Sequence, residues 1–257
     1  MSEGSRAVDK IQSAKNEYIK KVRSLKQKKN REELGLFLAE GDKCAQEALC
    51  HAKVESLLTS DPGHPLISAA ERQNARVILV SPTVMEAASE VKTPQSCIAV
   101  VKKGQAKLPG NGLMVALEGV ADPQNVGTIL RTADAVGATG ALLSRDCADF
   151  TAPKAVRAAM GSTFHLPIEV AEDFYARLEA LKSAGVCLIG GHLMGEEGRP
   201  HAARTACVII GNEARGMSER AARLCDALVR IPMYGKAESL NAAVAAGILL
   251  YACREGR

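Results

Sequence analysis

The chain has no tryptophan, and only four tyrosines and four phenylalanines in 257 residues. A large ligand must therefore be recognised mainly by shape, charge and hydroxyl geometry, because base or sugar stacking needs aromatic faces. No apolar run reaches the roughly 18–20 residues that cross a bilayer. The first residues are polar and lack an apolar signal-peptide core, so the expected location is cytoplasmic and no membrane partner is expected. No Cys-x-x-Cys pair occurs among cysteines 44, 50, 97, 147, 187, 207, 225 and 253. Scattered cysteines in a chain of this size read as reduced, small hydrophobes. Cys44, Cys50 and His51 cluster, but no second pair with zinc-ligand spacing follows, so no metal is expected. Gly-x-Gly-x-x-Gly and Gly-Lys-Ser/Thr are also missing, which argues against a dinucleotide dehydrogenase and a phosphate-loop enzyme.

What is present is ordinary in amount and uneven in placement. Apolar residues make up 47% and charged residues 24% of a chain long enough for one large or two ordinary domains. The net charge is +4. Residues 1–31 nevertheless hold ten bases, including Arg6, Lys15, Lys21, Arg23, Lys26, Lys28, Lys29 and Arg31, against Glu3, Asp9 and Glu17. The remainder is slightly negative, and a basic arm on a near-neutral body suits a polyanion partner. Within the arm Ile11, Tyr18, Val22 and Leu25 fall at helical spacing, which predicts one docked amphipathic helix.

Beyond the arm, short strands and helices alternate. LGLFLAE, VESLLTS, ARVILVS and SCIAVVK read as strands, with helices between them, giving a small α/β domain over 1–104. KKGQAKLPGNG is rich in breakers and places a linker at 105–112. A second α/β unit spans 113–257. Its strands are LMVALEGV, TGALLS, VCLIGG, CVIIG and ALVRIPM, and its helices start near Pro123, Pro153, Phe174, Met217 and Asn241. Strict alternation implies a mostly parallel sheet covered on both faces. The last helix is so apolar that full burial is expected.

In such sheets ligands sit beyond the carboxyl ends of the strands. Three strand ends carry polar residues there. In EGVADPQNVGTILRTADAVG, Asp122 and Pro123 fit an N-cap followed by the first helical position. Asn125 falls in the first turn, and Arg131 shares a face with Thr128 and could grip a phosphate. In VIIGNEARGMSE, Gly211, Asn212 and Glu213 follow an apolar strand. In IPMYGKAESLNAAVAAGILLY, a polar loop carrying Ser239 and Asn241 runs into the final helix.

These three segments, in this order, resemble the SpoU (TrmH-type) branch of the SPOUT RNA methyltransferases. The stretch SAKNEYIKKVRSLKQKKNREELGLFLAEGDKCAQEAL resembles that family's RNA substrate-binding domain, which is related to a ribosomal protein. The resemblance implies a C-terminal parallel-sheet domain tied in a deep trefoil knot. It implies methyl transfer from S-adenosyl-L-methionine to a ribose 2′-hydroxyl of RNA, here ribosomal, in a homodimer whose knotted domains abut. It implies catalytic roles for Arg131, Asn125, Glu213, Ser239 and Asn241, and cofactor contacts at Gly191, Gly211, Asn212, Ile231, Met233 and Leu240, largely through backbone groups. Lys15, Asn16, Lys21, Arg23, Lys26, Lys28, Lys29 and Arg31 would then face RNA. Arg131 matches the family's proposed base, although an arginine side chain ordinarily keeps its proton far above neutral pH. A proton shuttle and a charged clamp that stabilises the developing alkoxide both remain open. Where the family often has a second serine, this chain has Ala243. A transfer-RNA enzyme and a non-catalytic RNA-binding protein are the alternatives.

Overall fold

A computed structural model describes residues 9–91, 93–104, 106–198 and 204–255. Glu3 and Arg6 of the arm and Gln105 of the linker lie outside these residues. The chain divides into two compact units, residues 1–104 with 151–164, and residues 105–150 with 165–257.

The first unit begins with β1 (Asp9–Ile11), α1 (Glu17–Ser24) and α2 (Lys28–Leu34). It continues through β2 (Leu36–Glu40), α3 (Asp42–His51), β3 (Val54–Thr59), α4 (Ile67–Arg72), β4 (Arg76–Val80), α5 (Pro82–Ala88) and β5 (Cys97–Lys102). The sheet order is β1-β4-β3-β5-β2. The arm is not the single helix its periodicity predicts. Ile11 lies in a strand, paired in parallel with Val80. The helix starts only where the Asn16 side chain accepts from the N–H of Tyr18. Ile19, Val22 and Leu25 are then fully buried against Leu58 and Ile78. Gly35, at φ 62°, ends α2 in the left-handed conformation that glycine adopts without strain.

The second unit opens with β6 (Leu113–Leu117), α6 (Pro123–Ala135) and β7 (Gly140–Leu143). The chain then passes through α7 (Pro153–Ala159) and α8 (Ser162–His165). Residues 151–164 group with the first unit, where Val156 is buried beside Phe37 and Leu57. Phe164 stacks on Phe37, with centroids 5.9 Å apart. The chain rejoins the second unit for β8 (Ile168–Val170), α9 (Phe174–Ser183), β9 (Cys187–Glu197), β10 (Ala206–Ile210), α10 (Glu219–Leu224), β11 (Ala227–Arg230) and α11 (Ala242–Glu255). The sheet order is β11-β9-β10-β6-β7-β8, and every pairing is parallel. The brief α8 and β8 were not legible as elements.

All five residues of β6 and four of β10 are completely buried, as expected of central strands covered on both faces. One face carries α6 and α11, and the other α9 and α10. Ala246, Leu249, Leu250 and Cys253 form the buried stripe of α11. Each buried leucine is worth about 1.5–3 kcal/mol. The opposite face holds Val244, Ile248 and Tyr251 at 51, 43 and 47% exposure. The expected full burial is therefore corrected: the chain covers only one side of this helix. Burial pushes the thiols of Cys97, Cys207 and Cys225 up to about 12, so they stay protonated and pack as apolar groups.

The linker is anchored. Leu108 is buried, and its N–H donates to Glu169 Oε2 at 2.7 Å. Arg177 donates from Nε to Glu169 Oε1 at 2.9 Å and from Nη2 to the Leu108 carbonyl at 3.3 Å. Arg177→Met removes this fork and leaves Glu169 without its cation. It is expected to lower stability by about 1–3 kcal/mol in urea unfolding.

Candidate active site

The parallel sheet brings the ends of β6 and β10 side by side, with Ile210 paired to Leu117. The loops that follow these strands are joined by one carboxylate. Glu213 Oε2 accepts from the N–H of Ala121 at 2.9 Å, and Oε1 accepts from the N–H of Asp122 at 3.1 Å. The Asn125 side-chain amide donates to the same Oε1 at 2.9 Å. Asn241 in turn donates to Asn125 Oδ1 at 3.0 Å. The Asn241 Oδ1 accepts from the N–H groups of Ala243 and Val244, capping α11. Three of the predicted catalytic residues thus form one relay, Asn241 to Asn125 to Glu213. Desolvation alone would raise the Glu213 carboxyl. The donors at Ala121, Asn125 and Asp122 outweigh it and hold the group below its ordinary value.

Arg131 and Ser239 stand outside this relay. Both are exposed, and neither side chain has a hydrogen bond or ion pair among the described residues. Arg131 lies six residues beyond Asn125 on α6, and long helical side chains lean toward the helix N-terminus. Ala243 is buried, and its N–H is taken by Asn241.

The residues expected to hold a cofactor gather at one sheet edge. Gly191 lies within β9, just past its pairing with β10, and Gly211 and Ile231 directly follow β10 and β11, the two strands that flank β9 in the sheet. A Cβ on Gly211 would lie 2.2 Å from the Met217 nitrogen, and one on Gly191 would lie 2.7 Å from Leu249 Cδ1. At Gly211 the obstacle is backbone, which only glycine accommodates, whereas at Gly191 it is the end of a leucine side chain. From Met233 to Leu240 no peptide N–H has a backbone acceptor among the described residues. A half-buried to exposed loop with unspent main-chain groups can read the edge of an adenine ring, so the residues present fit an adenosyl cofactor. Asn212 is committed elsewhere. Its N–H and C=O pair with Gly216, its amide donates to the Gly119 carbonyl at 2.6 Å, and its Oδ1 accepts from Ala214 and Arg215. It shapes the loop.

In the first unit the RNA-facing set is reduced by one. Arg31 is only 3% exposed, and its guanidinium donates to the carbonyls of Leu25 and Lys26. It closes the C-terminal end of α1, and burial removes it from any RNA surface. Lys26 donates to the Ser89 carbonyl, Lys21 pairs with Glu55 at 2.9 Å, and Lys28 faces Glu32 at 3.8 Å. Asn16 spends its oxygen on the α1 cap. The side chains of Lys15, Arg23 and Lys29 have no partner among the described residues.

Cys44 is buried and Cys50 exposed on α3, so the two thiols point apart. Asp42, His64 and Cys97 do approach one another. However, His64 Nδ1 accepts from the Leu66 N–H at 3.2 Å, which leaves the proton on Nε2, directed at Asp42. A metal at Nε2 would require the opposite tautomer. The cluster is a hydrogen-bonded brace.

The sequence reading missed Glu118. It is 7% exposed, immediately follows β6, and accepts hydrogen bonds from Tyr175 and Ser218. The signal was available, because a carboxylate directly after five apolar residues is unusual.

A parallel α/β domain with three polar loops converging on its carboxyl edge defines an open-sheet, ligand-binding fold. The family model described as the SpoU rRNA methylase family matches residues 112–251, and an MRM3-like substrate-binding domain model matches residues 16–99. The chain belongs to the SpoU rRNA methylase family. It is 34% identical to the 23S rRNA (guanosine(2553)-2′-O)-methyltransferase RlmP of Bacillus subtilis, across 95% of this chain and 98% of that protein. The AdoMet-bound rRNA methyltransferase from Sinorhizobium meliloti superimposes with a TM-score of 0.87 at 32% identity, covering 96% of this chain and 98% of the other. The SpoU methyltransferase AviRb from Streptomyces viridochromogenes, in complex with AdoMet, gives 0.82 at 30% identity over 94 and 98%.

A depressed carboxyl contributes stability that is complete above the ordinary value, 4.5 for glutamate. That contribution is lost as pH falls through the lower folded-state value. Glu213→Gln is therefore expected to melt below wild type at about pH 7, and the gap is expected to close in acid. Thermal melts across that range measure it.

Proposed function

We propose that this chain transfers a methyl group from S-adenosylmethionine to a ribose 2′-hydroxyl of large-subunit ribosomal RNA. The observation that carries the reading is the relay Asn241–Asn125–Glu213, which locks the three polar loops into one wall. When bound, S-adenosylmethionine supplies a methyl carbon made electrophilic by its sulfonium. Gly191, Gly211, Ile231, Met233 and Leu240 hold it, mainly through main-chain groups. Transfer would form the oxygen–carbon bond as the carbon–sulfur bond breaks, releasing neutral S-adenosylhomocysteine, with the hydroxyl proton passing to solvent water. Arg131, whose side chain has no partner among the described residues, clamps the adjacent phosphate and stabilises charge developing on the oxygen. Ser239 and Asn241 orient the acceptor ribose, and positioning of this kind lowers the barrier by up to roughly 7–11 kcal/mol. Arg131→Ala is expected to lower the single-turnover methylation rate about 10²–10³-fold with saturating RNA. Mapping 2′-O-methyl sites on ribosomal RNA with and without the protein identifies the nucleotide. An unchanged map, or an unchanged rate in Arg131→Ala, would sink the proposal.

Residues 1–104 serve as the RNA-gripping domain, with Lys15, Arg23 and Lys29, unpaired among the described residues, as cations for phosphates and a salt-sensitive affinity. A transfer-RNA target is not favoured, because the resemblance runs through this unit as well. The work is placed in the cytoplasm, where ribosomal RNA is found. The C-terminal segment is read as threaded into a trefoil knot. Supporting this, the chain leaves the sheet at its β11 edge, yet α11 packs on α6, β10 and β6 in the interior. The exposed stripe Val244, Ile248 and Tyr251 suits a two-fold homodimer, in which each copy covers the other's α11. Ile248→Glu places a charge in that stripe and is expected to shift sedimentation from dimer to monomer.

A further inference from the structure

Besides the Asn212 amide on the Gly119 carbonyl, two carboxylates clasp the loop after β6 and the loop after β10, in opposite directions. Glu213, from the second loop, grips Ala121, Asp122 and Asn125 of the first. Glu118, from the first loop, grips the far end of the second. Its Oε2 accepts from the N–H of Ser218 at 2.9 Å. Its Oε1 accepts from the Ser218 hydroxyl at 2.5 Å and from the Tyr175 hydroxyl at 2.7 Å. The Ser218 oxygen also accepts from the Ala221 N–H, starting α10. The segment between the two grips, Asn212–Met217, folds back onto Gly211 so closely that a Cβ there would meet Met217 N at 2.2 Å and the Gly216 carbonyl carbon at 2.4 Å. A bond that fixes the Ser218 N–H thereby fixes its neighbour Met217 against the Gly211 peptide.

We infer that Glu118 is a positioning residue for the cofactor: it holds Ser218, and through Met217 and Gly216 it sets the place of the Gly211 peptide that contacts S-adenosylmethionine. This rests on the function proposed above. Glu118 does not touch the reacting atoms. Its effect falls on affinity for the methyl donor. Three donors converge on one buried carboxylate, so a carboxamide of the same size leaves at least one of them unsatisfied.

Five proteins test this: wild type, Glu118→Gln, Ser218→Ala, the Glu118→Gln/Ser218→Ala double variant and Tyr175→Phe. S-adenosylmethionine affinity is read by calorimetry, RNA affinity by titration, and KM and kcat at saturating RNA. Glu118→Gln is expected to raise the Kd and KM for S-adenosylmethionine together by about ten-fold or more, with RNA affinity within about two-fold of wild type. Ser218→Ala is expected to act in the same direction, and the double variant to be no worse than Glu118→Gln alone, because the two groups form one contact. Tyr175→Phe loses a single hydroxyl bond and is expected to raise the Kd only a few-fold. Should Glu118→Gln not fold, Ser218→Ala and Tyr175→Phe decide by the same measure. Unchanged donor affinity in the folded variants, with the wild type binding normally, overturns the clasp and leaves the proposed function standing. A wild type that fails to bind the donor overturns both.

Discussion

The site depends on a carboxylate placed at the start of a helix from a different strand. Glu213 follows β10, yet it satisfies two N–H groups that lead into α6 and the side chain of Asn125 in its first turn. The amino end of a helix carries unpaired donors and a partial positive charge, and a carboxylate suits both. The parallel pairing of β6 with β10 sets that carboxylate within reach. Once it is there, Asn125 is oriented, and its oxygen is left to receive Asn241 from the last loop. Removing this one group would leave donors facing the crevice and the final loop without its tether.

The same economy runs through the rest of the second unit. The sheet core is apolar on both faces, so polar chemistry is confined to the strand ends. There the backbone is packed closely in one place and open in another. Gly211 is a glycine because neighbouring backbone occupies the space of a side chain. In the loop from Met233 to Leu240 no peptide N–H has a backbone acceptor among the described residues. A cofactor pocket of this kind tolerates side-chain change and resists backbone change. Ala243 illustrates the point, since its N–H is used while its small side chain is buried.

Much of this was legible without coordinates. Asp122 and Pro123 mark the start of α6 by capping chemistry, and the helix begins at Pro123. The apolar runs at 113–117 and 206–210 are central strands because only strands buried on both faces have such composition. Local pattern failed where a distant partner decided. Ile11 matched a helical period with Tyr18, but pairing with Val80 drew it into a strand. Arg31 counted as surface charge until the carbonyls ending α1 claimed it. Residues 151–164 followed the alternation of the second unit but packed with the first through Val156 and Phe164. Glu118 sat in a quoted motif with no visible partner, because Ser218 and Tyr175 lie far along the chain.

The sequence by itself determined the family, the alternating elements and most of the polar residues at the strand ends. Those features are local, written in periodicity, caps and short motifs. Only the tertiary structure decided which polar groups meet, which charges are already spent, and which side of the last helix stays bare. Those outcomes depend on contacts between residues about a hundred positions apart, such as Asn125 with Asn241 and Glu118 with Ser218. A linear pattern carries no distance between such residues, and strand order supplies it.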